Sequence, residues 1–126
     1  MKRILVIDDD TDMTLIMKDI LEKNRYEVTL AHNGLEAVKK SKQQKINLIL
    51  LDIRMPFFSG IWFCDVFKQR PNTKHIPVVV VSNLTSEEDI RKAYEVGADA
   101  FLKKPFRPQE LLEVVEKKIL LMLKNW

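Results

Sequence analysis

Cysteine, glycine and long apolar runs are all scarce in this chain. The one cysteine, Cys64, has no partner for an intramolecular disulfide and cannot build a cysteine-based zinc site; a reducing, cytoplasmic setting fits best. Three glycines and five prolines in 126 residues argue against a fibrous repeat or a disordered tract. No stretch comes near the roughly 18 consecutive apolar residues of a membrane span. Met1-Lys2-Arg3 leads into only Ile4-Leu5-Val6-Ile7, too little for a secretory signal. A strong excess of either charge is missing too: 21 Lys and Arg stand against 18 Asp and Glu, a net charge of +3. That balance permits nucleic-acid binding without indicating it. What is present is 46% hydrophobic and 31% charged residues, in a length that suits one domain over residues 1–126. Folding such a chain buries about two-thirds of its unfolded surface.

Short β-branched or leucine-rich runs alternate with longer amphipathic stretches. Ile4-Leu5-Val6-Ile7, Leu48-Ile49-Leu50-Leu51 and Val78-Val79-Val80-Val81 are continuously apolar, the mark of strands covered on both faces. Glu27-Val28-Thr29-Leu30 and Ala100-Phe101-Leu102 complete a set of five. Between them, Met13, Ile16, Met17, Ile20 and Leu21 keep helical spacing, as do Ile90, Ala93, Tyr94 and Gly97. Asn33 with Glu36, and Thr85 with Glu88, have the spacing of helix caps, and Pro108 suits a first helical turn. The pattern predicts (βα)5, with strands near 3–7, 26–30, 47–51, 77–81 and 99–102. Alternation of this kind implies an α/β, doubly wound parallel sheet with right-handed crossovers. Ligands of such sheets bind beyond the carboxyl ends of the strands, where the winding reverses.

The residues at those ends are chemically expensive. Asp8-Asp9-Asp10 follows the first run, with Asp12 close behind; Asp52 follows the third, Ser82-Asn83 the fourth, and Lys103-Lys104-Pro105-Phe106 the fifth. Carboxylates, a hydroxyl and an ammonium on one rim suit an oxygen-lined site for a hard divalent cation. The plainer alternative is that the Asp run caps the first helix in solvent. A further carboxylate at another strand end weighs against it, because packed, unpaired carboxylates repel.

Taken together, the run ending in Asp8-Asp9-Asp10, the segment Leu51-Asp52-Ile53-Arg54-Met55-Pro56, the pair Val81-Ser82 and the segment Lys104-Pro105-Phe106 resemble the receiver domain of two-component response regulators, of the chemotaxis-regulator kind. The likeness spans essentially the whole chain, including Gly60 and Gly97-Ala98-Asp99. It implies a flavodoxin-like three-layer sandwich with strand order 2-1-3-4-5. It also implies that Asp52 is the phosphoacceptor, Asp9 a direct Mg²⁺ ligand, Asp8 a water-mediated one, and the backbone carbonyl of Arg54 a further ligand, with Mn²⁺ able to substitute. Ser82 and Lys104 would bind phosphoryl oxygens. Lys104 is preferred to Lys103 because the family places its lysine directly before the proline, in a bond the resemblance implies is cis. Ser82 and Phe101 would form the switch, changing the surface of the fourth helix, fifth strand and fifth helix.

Several positions depart from the family pattern. Phe101 lacks the hydroxyl of the usual Tyr, Asn83 replaces a small residue, and Arg54 and Leu84 flank the place from which water would attack. In Phe57-Phe58-Ser59-Gly60-Ile61-Trp62-Phe63, the residues Ile61, Phe63, Val66 and Phe67 can form a buried stripe, which leaves Phe57 and Trp62 as a candidate partner surface. Lys39, Lys40, Lys42 and Lys45 read as a solvated face, Cys64 as packing, and the last helix is oily up to Trp126. The expected function is a cytoplasmic phosphorelay switch that is not a turnover enzyme. Its expected partners are a histidine kinase or histidine phosphotransfer protein and a downstream protein, with no nucleic acid or membrane, as a monomer or a phosphorylation-dependent dimer. A phosphohydrolase would want a carboxylate where Arg54 stands, and a constitutive binding module would not need the full set of Asp8, Asp9, Asp52, Ser82 and Lys104.

Overall fold

The structure is a computed structural model and describes residues 1–124, so Trp126 lies outside the described residues. In chain order the elements are β1 (Arg3–Ile7), α1 (Thr11–Glu22), β2 (Glu27–Ala31), α2 (Gly34–Gln43), β3 (Leu48–Leu51), β4 (Arg54–Met55), β5 (Phe58–Ser59), α3 (Gly60–Gln69), β6 (Val78–Ser82), α4 (Glu87–Glu95), β7 (Ala100–Lys103) and α5 (Pro108–Lys124). Five strands form one parallel sheet in the order β2-β1-β3-β6-β7. This is the predicted 2-1-3-4-5 once the small antiparallel hairpin β4–β5 is set aside. The hairpin itself was not expected from the sequence.

Four of the five strands start where their hydrophobic runs start, one residue later than the predicted ranges. Two of the entry residues spend side chains on the ends of the ladder. The Asn47 Oδ1 accepts from the Arg3 amide at 2.8 Å and the Asp99 Oδ2 from the Val78 amide at 2.8 Å. Pro77 has no amide to donate.

Strand alternation divides the apolar runs between two cores. Leu5, Ile7, Ile49, Leu51, Val78 and Val80 face α2, α3 and α4, where Ala37, Phe63, Cys64, Phe67 and Ala93 are buried. Ile4, Val6, Leu48, Leu50, Val79 and Val81 face α1 and α5, against Met17, Leu21, Leu111, Val115 and Ile119. Burying each such side chain stabilises the fold by about 1.5–3 kcal/mol, which is why continuous rather than alternating apolar runs mark the central strands.

The helix signals hold with two corrections. The Asn33 Oδ1 accepts from the Glu36 amide at 2.9 Å and Pro108 opens α5, both as expected. The α4 cap is Ser86 with Asp89, one residue beyond the predicted Thr85 and Glu88: the Ser86 Oγ accepts from the Asp89 amide at 3.1 Å and donates to the Asp89 carboxylate at 2.6 Å. In α1, Ile16 is half exposed rather than part of the buried stripe, because Met17 and Leu21 already fill the face toward the sheet. No helix among the described residues is long and apolar enough to cross a membrane.

Candidate functional site at the carboxyl rim of the sheet

The winding reverses between β1 and β3, where one connection leaves toward β2 and the next toward β6. Asp8 and Asp52 are the first residues after those two strands. Both are nearly inaccessible, at 1% and 6% exposure. Asp9 beside them is exposed. One oxygen from each of the three carboxylates lies within 4.8 Å of the others. An all-oxygen set of this size and charge fits a hard divalent cation such as Mg²⁺.

The Asp run divides its labour. The Asp10 Oδ1 caps α1 by accepting from the Met13 amide at 3.1 Å, so the capping alternative holds for this one residue. Asp8 turns inward, and its Oδ1 accepts from the Asp10 amide at 3.0 Å. The Asp52 Oδ1 accepts from the Arg54 amide at 2.8 Å, which ties the start of β4 to the carboxylate.

The counter-charge comes from the residue just after β7. The Lys104 Nζ donates to the Asp8 Oδ2 at 2.6 Å and the Asp52 Oδ2 at 3.0 Å. Lys103, one residue earlier, is exposed. The Lys104–Pro105 bond is cis, as the resemblance implied. Burial raises the Asp8 carboxyl above the usual range, and the bonds from Lys104 and the Asp10 amide only partly oppose this. Burial works against the Lys104 ammonium as well, but its bonds to the two carboxylates outweigh it and hold its pKa above the ordinary lysine value.

Ser82, at the end of β6, is fully buried, and its Oγ accepts from the Leu84 amide at 3.2 Å. The Ser82 carbonyl accepts from the Lys104 amide at 3.0 Å, so these two residues are held together by backbone. Phe101 lies opposite Val80 in the ladder and packs, partly buried, against the α2–α3–α4 core. The rim therefore gathers Asp8, Asp9, Asp52 and Lys104 directly, with Ser82 and Phe101 on the adjoining strands. Gly60 is required by close approach: a Cβ there would lie 2.6 Å from the Ile53 Cα and 2.9 Å from the Asp52 carbonyl oxygen.

The expected surface aromatics are where the sequence suggested. Phe57 is fully exposed and Trp62 is 56% exposed. Leu35, not singled out by its sequence context, is 80% exposed and lines the same depression. Cys64 is buried packing, and burial pushes its thiol up to about 11.

Comparison with known proteins agrees with this geometry. Residues 4–116 match the response regulator receiver domain. The chain is 37% identical to the chemotaxis protein CheY of Thermotoga maritima, over 92% of this chain and 96% of that one. It is 38% identical to the transcriptional regulatory protein CpxR of Escherichia coli, covering 89% of this chain but only 47% of that protein. Among solved structures, a CheY-like receiver domain protein of Methanospirillum hungatei superposes with a TM-score of 0.92 at 34% identity, over 100% of this chain and 99% of that one. With residues 4–116 matching the family and relatives of 34–38% identity covering most of the chain, it belongs to the response regulator receiver domain family.

Proposed function

We propose that this protein is a phosphorylation-controlled switch of a two-component phosphorelay, in which Asp52 accepts a phosphoryl group from a phosphohistidine of a histidine kinase or phosphotransfer protein. The observation that carries this reading is the single ammonium of Lys104 shared between two buried carboxylates, with a third carboxylate alongside. Such an arrangement is short of positive charge, and a site that must receive a phosphoryl group needs more.

In the proposed transfer an Asp52 oxygen attacks phosphorus. The P–O bond forms as the P–N bond to the donor imidazole breaks, and the imidazole leaves with the electron pair. Lys104 stabilises the charge spread over the phosphoryl oxygens. Asp8, Asp9, Asp52 and the Arg54 carbonyl would hold Mg²⁺, which when bound offsets the negative charge of both carboxylates and phosphoryl group. The Ser82 hydroxyl accepts from the Leu84 amide and still has its own proton to donate to a phosphoryl oxygen. Movement of Ser82 toward that oxygen leaves room for Phe101 to turn inward, and the α4–β7–α5 surface near Tyr94, Phe101 and Leu112 changes for a downstream protein. The phosphoryl group shifts a population between two states a few kcal/mol apart. The aspartyl phosphate is a state of the protein and not a released product, so the chain is a phosphoacceptor with self-catalysed gain and loss of phosphate rather than a turnover enzyme.

The test is intact mass after incubation with acetyl phosphate and Mg²⁺. The native chain gains one phosphoryl group, about 80 Da, and Asp52→Asn gains none, because an amide is no nucleophile. Equal labelling of the two proteins would overturn the assignment of Asp52.

A further inference from the structure

A second feature of the rim lies outside the phosphoacceptor chemistry. Leu35 at the start of α2, Phe57 at the tip of the β4–β5 hairpin and Trp62 on α3 are exposed and line one depression. Phe58 lines it too and meets Phe63 edge to face at 5.8 Å; Phe63, stacked on Phe67 at 5.4 Å, lines the adjoining hollow. Phe58 sits so close to α2 that a Cβ on Gly34 would come within 2.3 Å of its ring. Phe57 occupies the left-handed region, with φ at 58°, where a bulky side chain is strained. An aromatic that is both strained and fully exposed contributes nothing to the core.

From Trp62 the depression continues between α2 and α3 past Val38 and Val66 to Arg70. That second hollow opens into a third, flanked by Lys42 and Lys45. Along α3, Trp62 to Arg70 spans about 12 Å, which suits two to three turns of a docked helix. No Asp or Glu lines any of these three hollows. Among the described residues, Lys42, Lys45 and Arg70 are exposed and have no carboxylate partner. A second copy pairing through the same face would bring the same acid-free hollows and so no carboxylates for these cations, whereas an acidic partner supplies them.

We propose that the α2–α3 groove docks an amphipathic helix of a partner protein, with apolar residues at i, i+3 or i+4, and i+7 seated on Leu35, Phe57 and Trp62, and acidic residues facing Lys42, Lys45 and Arg70. The groove is also wired to the rim. The Arg54 amide on the Asp52 carboxylate opens the hairpin whose tip is Phe57 and whose second strand carries Phe58. Occupancy therefore depends on the state of Asp52; this coupling, and not the docking, rests on the phosphoacceptor reading.

The experiment is selection of displayed random peptides on the intact protein, with the Leu35→Glu/Trp62→Glu double variant as counter-target, followed by NMR titration of the enriched peptides. The expected peptides are acidic and amphipathic, perturb α2, α3 and the hairpin, and lose about tenfold or more in affinity with Trp62→Ala. Lys42→Glu with Arg70→Glu, which leaves the apolar floor intact, weakens them and removes their salt dependence. Beryllofluoride, a phosphoryl mimic, changes the affinity for the native chain and not for Asp52→Asn. No enrichment, basic peptides, binding equal on the counter-target, a preference for single-stranded oligonucleotide, or self-association through this face would each overturn the docking proposal. A protein that gains 80 Da from acetyl phosphate yet binds the peptide identically with and without beryllofluoride would overturn the coupling alone, leaving both phosphoacceptor and groove standing.

Discussion

Two lysine–carboxylate groups close opposite ends of the same sheet, and they are built differently. At the amino end of β6, the Lys68 Nζ donates to the Asp99 Oδ2 at 3.0 Å and to the Ile76 carbonyl at 3.0 Å, while the same Asp99 oxygen accepts from the Val78 amide. One cation meets one anion, and the spare donors and acceptors go to backbone. At the carboxyl rim, Lys104 serves both Asp8 and Asp52, and Asp9 stands within ligand distance of them. One cation meets three anions. The balanced pair pins helix α3 and the start of β7 to the amino end of β6 and has no unmet demand for charge. The unbalanced rim is costly to build and, on the proposed reading, would gain stability from a bound cation and carry the chemistry. Buried charge alone thus does not mark the site; imbalance does.

The comparison can be broken from either side. Lys104→Gln removes the ammonium that, among the described residues, bonds the rim carboxylates, and the rate of phosphoryl incorporation from acetyl phosphate should fall about a hundredfold or more. Unfolding by urea should remain cooperative, and an unchanged rate would show that Lys104 only fills space. Lys68→Met should do the reverse, costing about 2 kcal/mol of stability by removing hydrogen bonds to a charged group while leaving incorporation at the native rate. If Lys68→Met slows incorporation as much as Lys104→Gln, the two ends are not functionally distinct.

Phe57→Gly sharpens the comparison in a third place, the hairpin. Relief of a left-handed non-glycine backbone should stabilise the chain by up to about 1 kcal/mol, read as a higher urea midpoint. A drop in stability would mean that Phe57 packs in solution. The smallest effect concerns Cys64. Its thiol is held protonated by burial up to about 11, against an ordinary 9.0. The folded state thus binds this proton more tightly than the unfolded state. The contribution is fully present below about pH 9 and is lost as pH rises through 11. Cys64→Ala should flatten the decline of the urea midpoint between pH 8 and pH 10.5, and an identical decline would exclude the thiol as its source.

Much of this was legible in the sequence, for physical reasons. Continuous apolar runs at 4–7, 48–51 and 78–81 admit few places other than the middle of a doubly covered sheet. Asp8, Asp52 and Lys104 are costly to bury, so their positions at the ends of such runs pointed to chemistry. The hairpin at Arg54–Met55 and Phe58–Ser59 could not be read, since two-residue strands carry no period. The α4 cap slipped by one because Thr85–Glu88 and Ser86–Asp89 have the same spacing and only the backbone chooses. Leu35 escaped notice because one apolar residue between Gly34 and Glu36 makes no stripe; its meaning comes from Phe57 and Trp62, which are distant in sequence.

The most direct test of the claim that the rim is short of positive charge is urea unfolding with and without Mg²⁺, in the native chain and in Asp9→Asn. The account predicts that the native chain gains about 1.4 kcal/mol at a Mg²⁺ concentration ten times its dissociation constant. Asp9→Asn should be more stable than the native chain without Mg²⁺ and should show no Mg²⁺ response. An Asp9→Asn protein that unfolds as the native chain does, with the same Mg²⁺-dependent shift, would contradict it.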